Sequence, residues 1–417
     1  MDKPSTISMN IPFSPPYIDK DVIDEVVDSL QSGWITTGPK VKALEQEVIK
    51  LSGAPQALCV NSWTSGAMLM LKWFGVGAGD EVIIPAYTYS ATALAVLHCG
   101  ATPIMIDIKD DFTLDIEKIR EKITANTKVI MPVDIAGWPC DYEAINNLVN
   151  DPSVKDIFKP KNKNQEKLGR ILVLSDAAHS IGAKVNEVET GLLTDITIFS
   201  FHAVKNITTA EGGVICINLP EPFDNGEEYA YLRMMTLNGQ TKDAFTKSKA
   251  GGWRYDIIDL GLKINMPDVC AAIGLAQIRK YDHGLLAERK RVFDQYSKAF
   301  SALSWAQVPP QDNGKRTSSY HLYALRINGI TEAMRDAMID EISKTGVAVN
   351  VHFIPMPMLT LFKNLGYDIK DFPCAFNNYS REISLPIYPQ LTNEQVEYII
   401  HAVVNAYKII TGNDQAL

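Results

Sequence analysis

The sequence predicts an α/β fold: a large domain with a mostly parallel central sheet flanked by helices, and a smaller C-terminal α+β domain. Three observations carry this expectation. Between residues 57 and 218, short β-branched apolar runs alternate with helical patterns. A parallel sheet covered on both faces reads this way, because each crossover returns through a helix and both strand faces are buried. After about residue 300 the texture changes to strand-like run, amphipathic helix, second run and closing helix. Finally, 417 residues exceed one ordinary hydrophobic core, so two domains are expected, divided here as 1–280 and 281–417.

Taken in order, an extended, proline-rich arm leads to DKDVIDEVVDSLQSG. Its Val22, Ile23, Val26, Val27 and Leu30 recur at helical spacing between an Asp cap and a Gly stop. SGWITTGPKVKALEQEVIKLSG is a turn followed by a second amphipathic helix. The runs ALCV, EVIIP, TPIMIDI, KVIMPVDI, ILVLS, ITIFSF and GGVICIN have strand length, while TSGAMLMLKWFG and YSATALAVLHCG are helical. Residues 151–170 are polar and rich in Lys and Asn, and read as a surface insertion with a solvated basic face. Residues 268–300 read as one long helix, kinked near Asp282–Gly284. SYHLYALRIN and VAVNVHFIP read as strands, and TEAMRDAMIDEISKTG and TNEQVEYIIHAVVNAYKII as helices.

The net charge of −9 argues against a general nucleic-acid or membrane-surface binder, though not against an anion in a local pocket. No apolar stretch reaches the ~18 residues of a membrane span, and the N-terminus has no apolar signal-peptide core. The six cysteines are scattered without a CxxC pair and read as reduced thiols of a cytoplasmic protein. Neither they nor the seven histidines show metal-ligand spacing, so no metal is expected.

The chemistry concentrates around FSFHAVKNITTAEGG, residues 199–213. Asp176 follows the run ILVLS; Ser200 and Lys205 follow the next run. Residues just past the carboxyl ends of parallel strands line the ligand crevice, so a carboxylate and an amine reach the same rim. A buried ion pair would explain those two residues, but not the hydroxyls and glycines around them. Pyridoxal 5′-phosphate (PLP) explains more. It requires a lysine for its Schiff base and a carboxylate facing its ring nitrogen. It also requires an anion cradle, and NSWTSGAML offers Thr64 and Ser65 at the start of a helix, where N–H groups and dipole favour phosphate. Tyr89, in PAYTYSAT, reads by itself as a core or rim aromatic, and as an aromatic that stacks on the cofactor ring only together with the rest of the set. His202 reads as packing beneath the turn and Glu211 as its anchor; His321 and Trp34 read equally as substrate contacts or structural residues.

The blocks SGWITTGPKVKALE, NSWTSGAML, GAGDEVIIPAYTYSATALAVLHCGATPIMIDI, LSDAAHSIGA, FSFHAVKNITTAEGGVI, YDIIDLGLKINMPDVCAAIGLAQI and ISLPIYPQLT stand in one order along most of the chain. In that order they resemble the DegT/DnrJ/EryC1/StrS family of nucleotide-sugar aminotransferases, of the fold-type I PLP class. The resemblance implies Lys205 as the Schiff-base lysine, Asp176 as partner of the pyridine nitrogen, His179 near the cofactor's phenolic oxygen and Tyr89 as the stacking aromatic. It implies Thr64, Ser65 and Ser200 as phosphate binders. Asn265 matches an Asn reaching the phosphate from the neighbouring subunit, which implies a homodimer with shared active sites. L-glutamate is the implied donor. YDIIDLGLKINMPD looks closest to members that use UDP-linked 4-keto-6-deoxy hexoses derived from GlcNAc, which implies a 4-amino sugar for polysaccharide or glycan biosynthesis.

Departures from the family pattern bear on substrate choice. VDIAG puts Asp134 where a His is common, VHFIPMP puts Pro357 where a His is frequent, TAEGG replaces TGEGG, and 151–170 is longer than usual. One branch of the family replaces the lysine by His and dehydrates sugars; Lys205 counts against that alternative. A non-catalytic PLP-binding regulatory protein would need the same cradle, and glutamate turnover separates the two. No residues for the diphosphate and base are identified beyond candidates among the Lys and Arg of 151–170 and of GGWRYD.

Overall fold

In the computed structural model, which describes residues 9–242 and 253–413, Leu58 and Val60 pack into one apolar core while Ala57 and Cys59 pack into another. The same alternation repeats at Ile215 and Ile217 against Val214 and Cys216. Side chains on a strand point alternately to opposite faces, so a continuous apolar run is the signature of a strand buried on both sides.

The strands, in chain order, are β1 (Gln56–Val60), β2 (Glu81–Pro85), β3 (Thr102–Ile106), β4 (Thr127–Ile130), β5 (Leu172–Asp176), β6 (Lys184–Val185), β7 (Val188–Glu189), β8 (Ile196–Ser200), β9 (Gly213–Ile217), β10 (Ala306–Gln307), β11 (Arg316–Thr317), β12 (Tyr323–Ile327) and β13 (Glu382–Leu385). The central sheet has seven strands in the order β1-β9-β8-β5-β4-β2-β3. Only β9 runs against its neighbours, since β8 returns to it through the short connection 201–212 without a crossover helix. That connection carries Lys205. Helices Pro39–Ser52 and Asp268–Ile278 cover one face, and Trp63–Trp73 and Ala91–His98 lie on the other.

The expected long helix is two helices, Asp268–Ile278 and Leu286–Phe300, joined by a widened π-helical turn at Tyr281–Leu285. Beyond this break, β10, β12 and β13 form an antiparallel sheet packed by helices Leu286–Phe300, Glu332–Lys344 and Asn393–Thr411. We propose that this body is the small domain and that it starts at the break, with two qualifications to the expected division. Ile11 of the arm joins the small-domain core, and Met356, Phe362, Phe372 and Tyr379 join the large one.

VAVNVHFIP is not a sheet strand. Among the described residues its ladder pairing is limited to isolated bridges at Val347 and Asn350. The N–H groups that would extend the ladder go to side chains instead: Val351 donates to Asn350 Oδ1 and His352 to Glu382 Oε2. Residues 151–170 form two short helices, Pro152–Ile157 and Lys163–Leu168, and three basic residues of the segment pair with carboxylates outside it. Lys161 pairs with Asp80 at 2.6 Å and Lys167 with Glu228 at 3.7 Å, while Arg170 makes a buried two-pronged pair with Asp195. In GGWRYD, Gly251 and Gly252 lie outside the described residues, while Arg254 is exposed. Cys59, Cys140 and Cys216 are buried and unpaired, and Cys374 is exposed. Among the described residues no helix is long and apolar enough to cross a membrane.

Candidate active site

The carboxyl ends of β2, β4, β5 and β8 converge on a cavity of about 470 Å³. Lys205, Asp176, His179, Tyr89, Thr64 and Ser200 all line it. Ser65 and Asn265 do not. Ser65 is turned to its own helix end, where its Oγ donates to Asn61 Oδ1 at 2.6 Å and its N–H donates to Ser62 Oγ. Asn265 bridges to Val60 at the edge of β1 and donates from Nδ2 to Thr37 Oγ1 at 2.6 Å.

Asp176 ends β5 and is buried. Its Oδ2 accepts from Thr92 Oγ1 at 2.7 Å and its Oδ1 from the Ala178 N–H at 3.3 Å. Burial pushes its carboxyl up to about 7, against those hydrogen bonds and the pull of Lys205. The Lys205 amine makes no hydrogen bond or ion pair with the described residues, and burial brings it down to about 8 while Asp176 opposes the shift. Its backbone is held by the next residue. Asn206 donates to Tyr281 Oη and Ser319 O, and its Oδ1 accepts from His321 Nδ1.

His179 lies against His321, ring centres 4.3 Å apart. The Ala136 N–H donates to its Nδ1 at 3.2 Å, so the ring proton sits on Nε2. Burial and the Lys205 charge hold both rings neutral, well below the ordinary histidine range. Tyr89 is 62% exposed at the rim, where Phe353 meets its ring.

Ser62 caps helix Trp63–Trp73, leaving the Trp63 and Thr64 N–H groups at the cavity wall beside Ser200 and Gly212. Gly213 lets β9 approach this helix end: a Cβ there would lie 2.8 Å from Trp63 N and 3.0 Å from Phe199 O. Gly213 thus lets the end of the lysine loop close on the helix N-terminus. Ala210, where the family pattern has Gly, adopts a left-handed φ of 66°.

The cavity also takes in residues that sequence reasoning missed or misjudged. His202 does not pack beneath the turn: it is exposed on the cavity wall, 3.7 Å from Glu211, which lines the wall too. Phe13 and Ser14 arrive from the arm, and His352 and Phe353 from the segment misread as a strand. Thr88 and Thr92 are four positions apart, a helical spacing that was legible in PAYTYSAT. Trp34 stays outside the cavity and donates to Thr37 O. Asp134 lies beneath the wall, accepting from Cys140 N, Tyr142 Oη and Ser180 Oγ. Pro357 is buried in the turn Met356–Met358.

The residues fit PLP on their chemistry: an amine without a protein partner, a buried carboxyl in the same cavity, and a helix N-terminus with free N–H groups. The comparisons with known proteins agree. The DegT/DnrJ/EryC1/StrS aminotransferase family profile matches residues 16–158 and 163–404, interrupted within the polar insertion. The spore coat polysaccharide biosynthesis protein SpsC of Bacillus subtilis is 35% identical over 408 residues, covering 95% of this chain and 97% of SpsC. The sugar aminotransferase Spr1654 from Streptococcus pneumoniae, in its PMP form, superposes with a TM-score of 0.92 at 42% identity, covering 96% of this chain and all (100%) of that one. Its PLP form gives 0.91 at 40%. PseC of Helicobacter pylori, an aminotransferase involved in pseudoaminic acid biosynthesis, gives 0.84 at 25%, with 96% and 100% covered. With fold, cavity chemistry and near full-length similarity in agreement, this chain belongs to the DegT/DnrJ/EryC1/StrS family and is a PLP-dependent sugar aminotransferase.

Proposed function

We propose that this enzyme transfers the amino group of L-glutamate to a nucleotide-linked keto sugar, a UDP-4-keto-6-deoxy hexose derived from GlcNAc, giving a 4-amino sugar for polysaccharide or glycan assembly. The observation that carries the amine-transfer reading is the unpartnered Lys205 amine sharing one cavity with the Asp176 carboxyl. The sugar assignment rests on the resemblance of YDIIDLGLKINMPD; the similarity to SpsC, a spore coat polysaccharide biosynthesis protein, supports the polysaccharide destination.

PLP supplies an electron sink that stabilises negative charge at the carbon losing a proton. Lys205 would anchor PLP covalently and, as a free amine, would take up and return the donor carbon's proton; an amine near 8 exchanges protons readily at neutral pH. Asp176, oriented by Thr92 and Ala178, would keep the ring nitrogen protonated. His179 would offer Nε2–H as a donor to the phenolic oxygen. Trp63 N–H, Thr64 and Ser200 would hold the phosphate, Ser65 would steady that helix end, and Tyr89 would cover the ring. We place Asn265 in the neighbouring subunit's cavity, within a homodimer. Its position outside its own cavity is consistent with this, as is the exposed apolar stretch Trp253, Ile257, Ile258 and Leu260 that precedes it.

The test is the PLP-loaded protein with glutamate and a panel of UDP-, dTDP- and GDP-linked keto sugars, reading product mass and 2-oxoglutarate. Amination of the UDP-4-keto sugar is expected. Exclusive use of a 3-keto sugar would sink the assignment, and loss of water without amination would favour dehydration. Borohydride reduction of the holoenzyme should label Lys205.

A further inference from the structure

Four imidazoles line the cavity: His202 is exposed on its wall, while His179, His321 and His352 are buried or half-buried. Two have a ring proton fixed by groups that cannot change role. A backbone N–H donates to His179 Nδ1, so Nε2 carries its proton. Asn206, whose amide nitrogen is engaged with Tyr281 and Ser319, turns its oxygen to His321, so Nδ1 carries that proton. His352 is different. Its Nδ1 lies 2.9 Å from Ser384 Oγ, a group that can donate or accept. Ser384 Oγ lies 2.5 Å from Oε1 of Glu382, a carboxyl with no solvent exposure. The other oxygen, Oε2, accepts the His352 N–H at 3.0 Å. Nε2 of His352 has no hydrogen bond among the described residues and belongs to a ring on the cavity wall.

We propose that Glu382, acting through the Ser384 hydroxyl, is a positioning residue that sets which nitrogen of His352 carries the proton, and so whether substrate meets a donor or an acceptor at Nε2. The proposal rests on reading this cavity as the sugar-binding site. When Glu382 is ionised, Ser384 donates to Oε1 and accepts from Nδ1–H, leaving Nε2 a bare acceptor. When Glu382 is protonated, it donates to Ser384 Oγ, Ser384 donates to Nδ1, and Nε2 carries the proton. Ionisation passes the carboxyl proton to Ser384, the hydroxyl proton to Nδ1, and releases the Nε2 proton into the cavity. One proton leaves and the ring stays neutral throughout.

The surroundings place the change in a useful range. Burial raises Glu382 to about 8; Arg326 from β12 and Arg335 from helix Glu332–Lys344 oppose it, as do the donors on Ser384 and His352. Tyr87, on the segment after β2, faces the same carboxyl and donates to His352 O. Phe13 stacks on the ring at 5.4 Å and Phe353 meets it edge-on. Burial and Lys205 bring the ring down to about 3, so it does not take a second proton near neutrality.

The experiment is a two-bond proton–nitrogen NMR correlation on the PLP-loaded, ¹⁵N-histidine-labelled protein between about pH 6 and about pH 9.5, a window that brackets the raised carboxyl. The His352 signals are assigned by their loss in His352→Asn. His352 should pass from the Nε2–H to the Nδ1–H form with a midpoint near 8, while His179 and His321 keep one form each. In Glu382→Gln the amide oxygen takes the His352 N–H and the amide nitrogen donates to Ser384, so Nε2–H should persist across the range. Ser384→Ala should remove the pH dependence. A wild-type ring that keeps one form throughout, or a Glu382→Gln ring that still changes, overturns the proposal. The titration is read on the wild-type protein, with His352→Asn used only to assign the signal, and it is read without turnover, so its failure is distinct from failure of the sugar assay.

Discussion

Replacing Lys205 by Met should make the cofactor-free protein more stable while abolishing its chemistry. Burial brings the Lys205 amine from 10.5 down to about 8, and no hydrogen bond or ion pair offsets it. Those ~2.5 pH units, at about 1.4 kcal/mol each, put the cost of holding an ammonium there near ~3 kcal/mol. The side chain keeps some solvent contact through the cavity mouth, which discounts this cost; the attraction to Asp176 is already contained in it. The net gain expected at pH 7 is therefore about 1–2 kcal/mol. The folded-state value lies below the unfolded one, so the penalty is full below about 8 and fades as pH rises toward ~10.4. Urea unfolding of PLP-free wild type and Lys205→Met, at fixed protomer concentration, should show the larger margin at pH 7 and a smaller one at about pH 9.5. A variant no more stable at pH 7, or one with the same margin at both values, would refute the reasoning. The holoenzyme's visible absorbance and activity should vanish in this variant and in Lys205→Ala.

Asp176→Asn should slow both half-reactions on the order of a hundredfold, read by single-turnover absorbance. Because the wild-type carboxyl is raised to about 7, its stabilising contribution is lost as pH rises through that value, so the variant's relative stability should grow from pH 6 to 9. Gly213→Ala should cost about 1–3 kcal/mol by denaturation and weaken PLP binding in a fluorescence titration, because its Cβ meets only backbone at 2.8–3.0 Å. Leu260→Asp, at a position 85% exposed in the single chain, should shift sedimentation toward monomer and lower PLP affinity with it; an unchanged dimer would remove this face from the interface.

Much of the site could be read from the order of strand and residue. Asp176, Ser200 and Lys205 each follow an apolar run, and parallel strands put such residues at one rim whatever the details of packing. The kink near Asp282–Gly284 was likewise legible, and appears as the turn Tyr281–Leu285. His352 and Phe353 were not. VAVNVHFIP has the composition of a strand, and only the Glu382 carboxylate, far away in sequence, takes the hydrogen bond that would have made it one. His202 was misjudged for a similar reason: two residues after a strand end, periodicity no longer says which way a side chain turns.

Local pattern therefore determined the sheet, its helices and the meeting of Lys205 and Asp176 at one rim near a helix N-terminus, since strand period, capping and turn chemistry act over a few residues. What required the tertiary structure was the environment of those groups: that Lys205 lacks a partner, that Glu382 and Ser384 reach His352, and that Asn265 stands outside its own cavity. Desolvation and hydrogen-bond satisfaction depend on which distant segments close over a group, and that is decided only when the chain has packed.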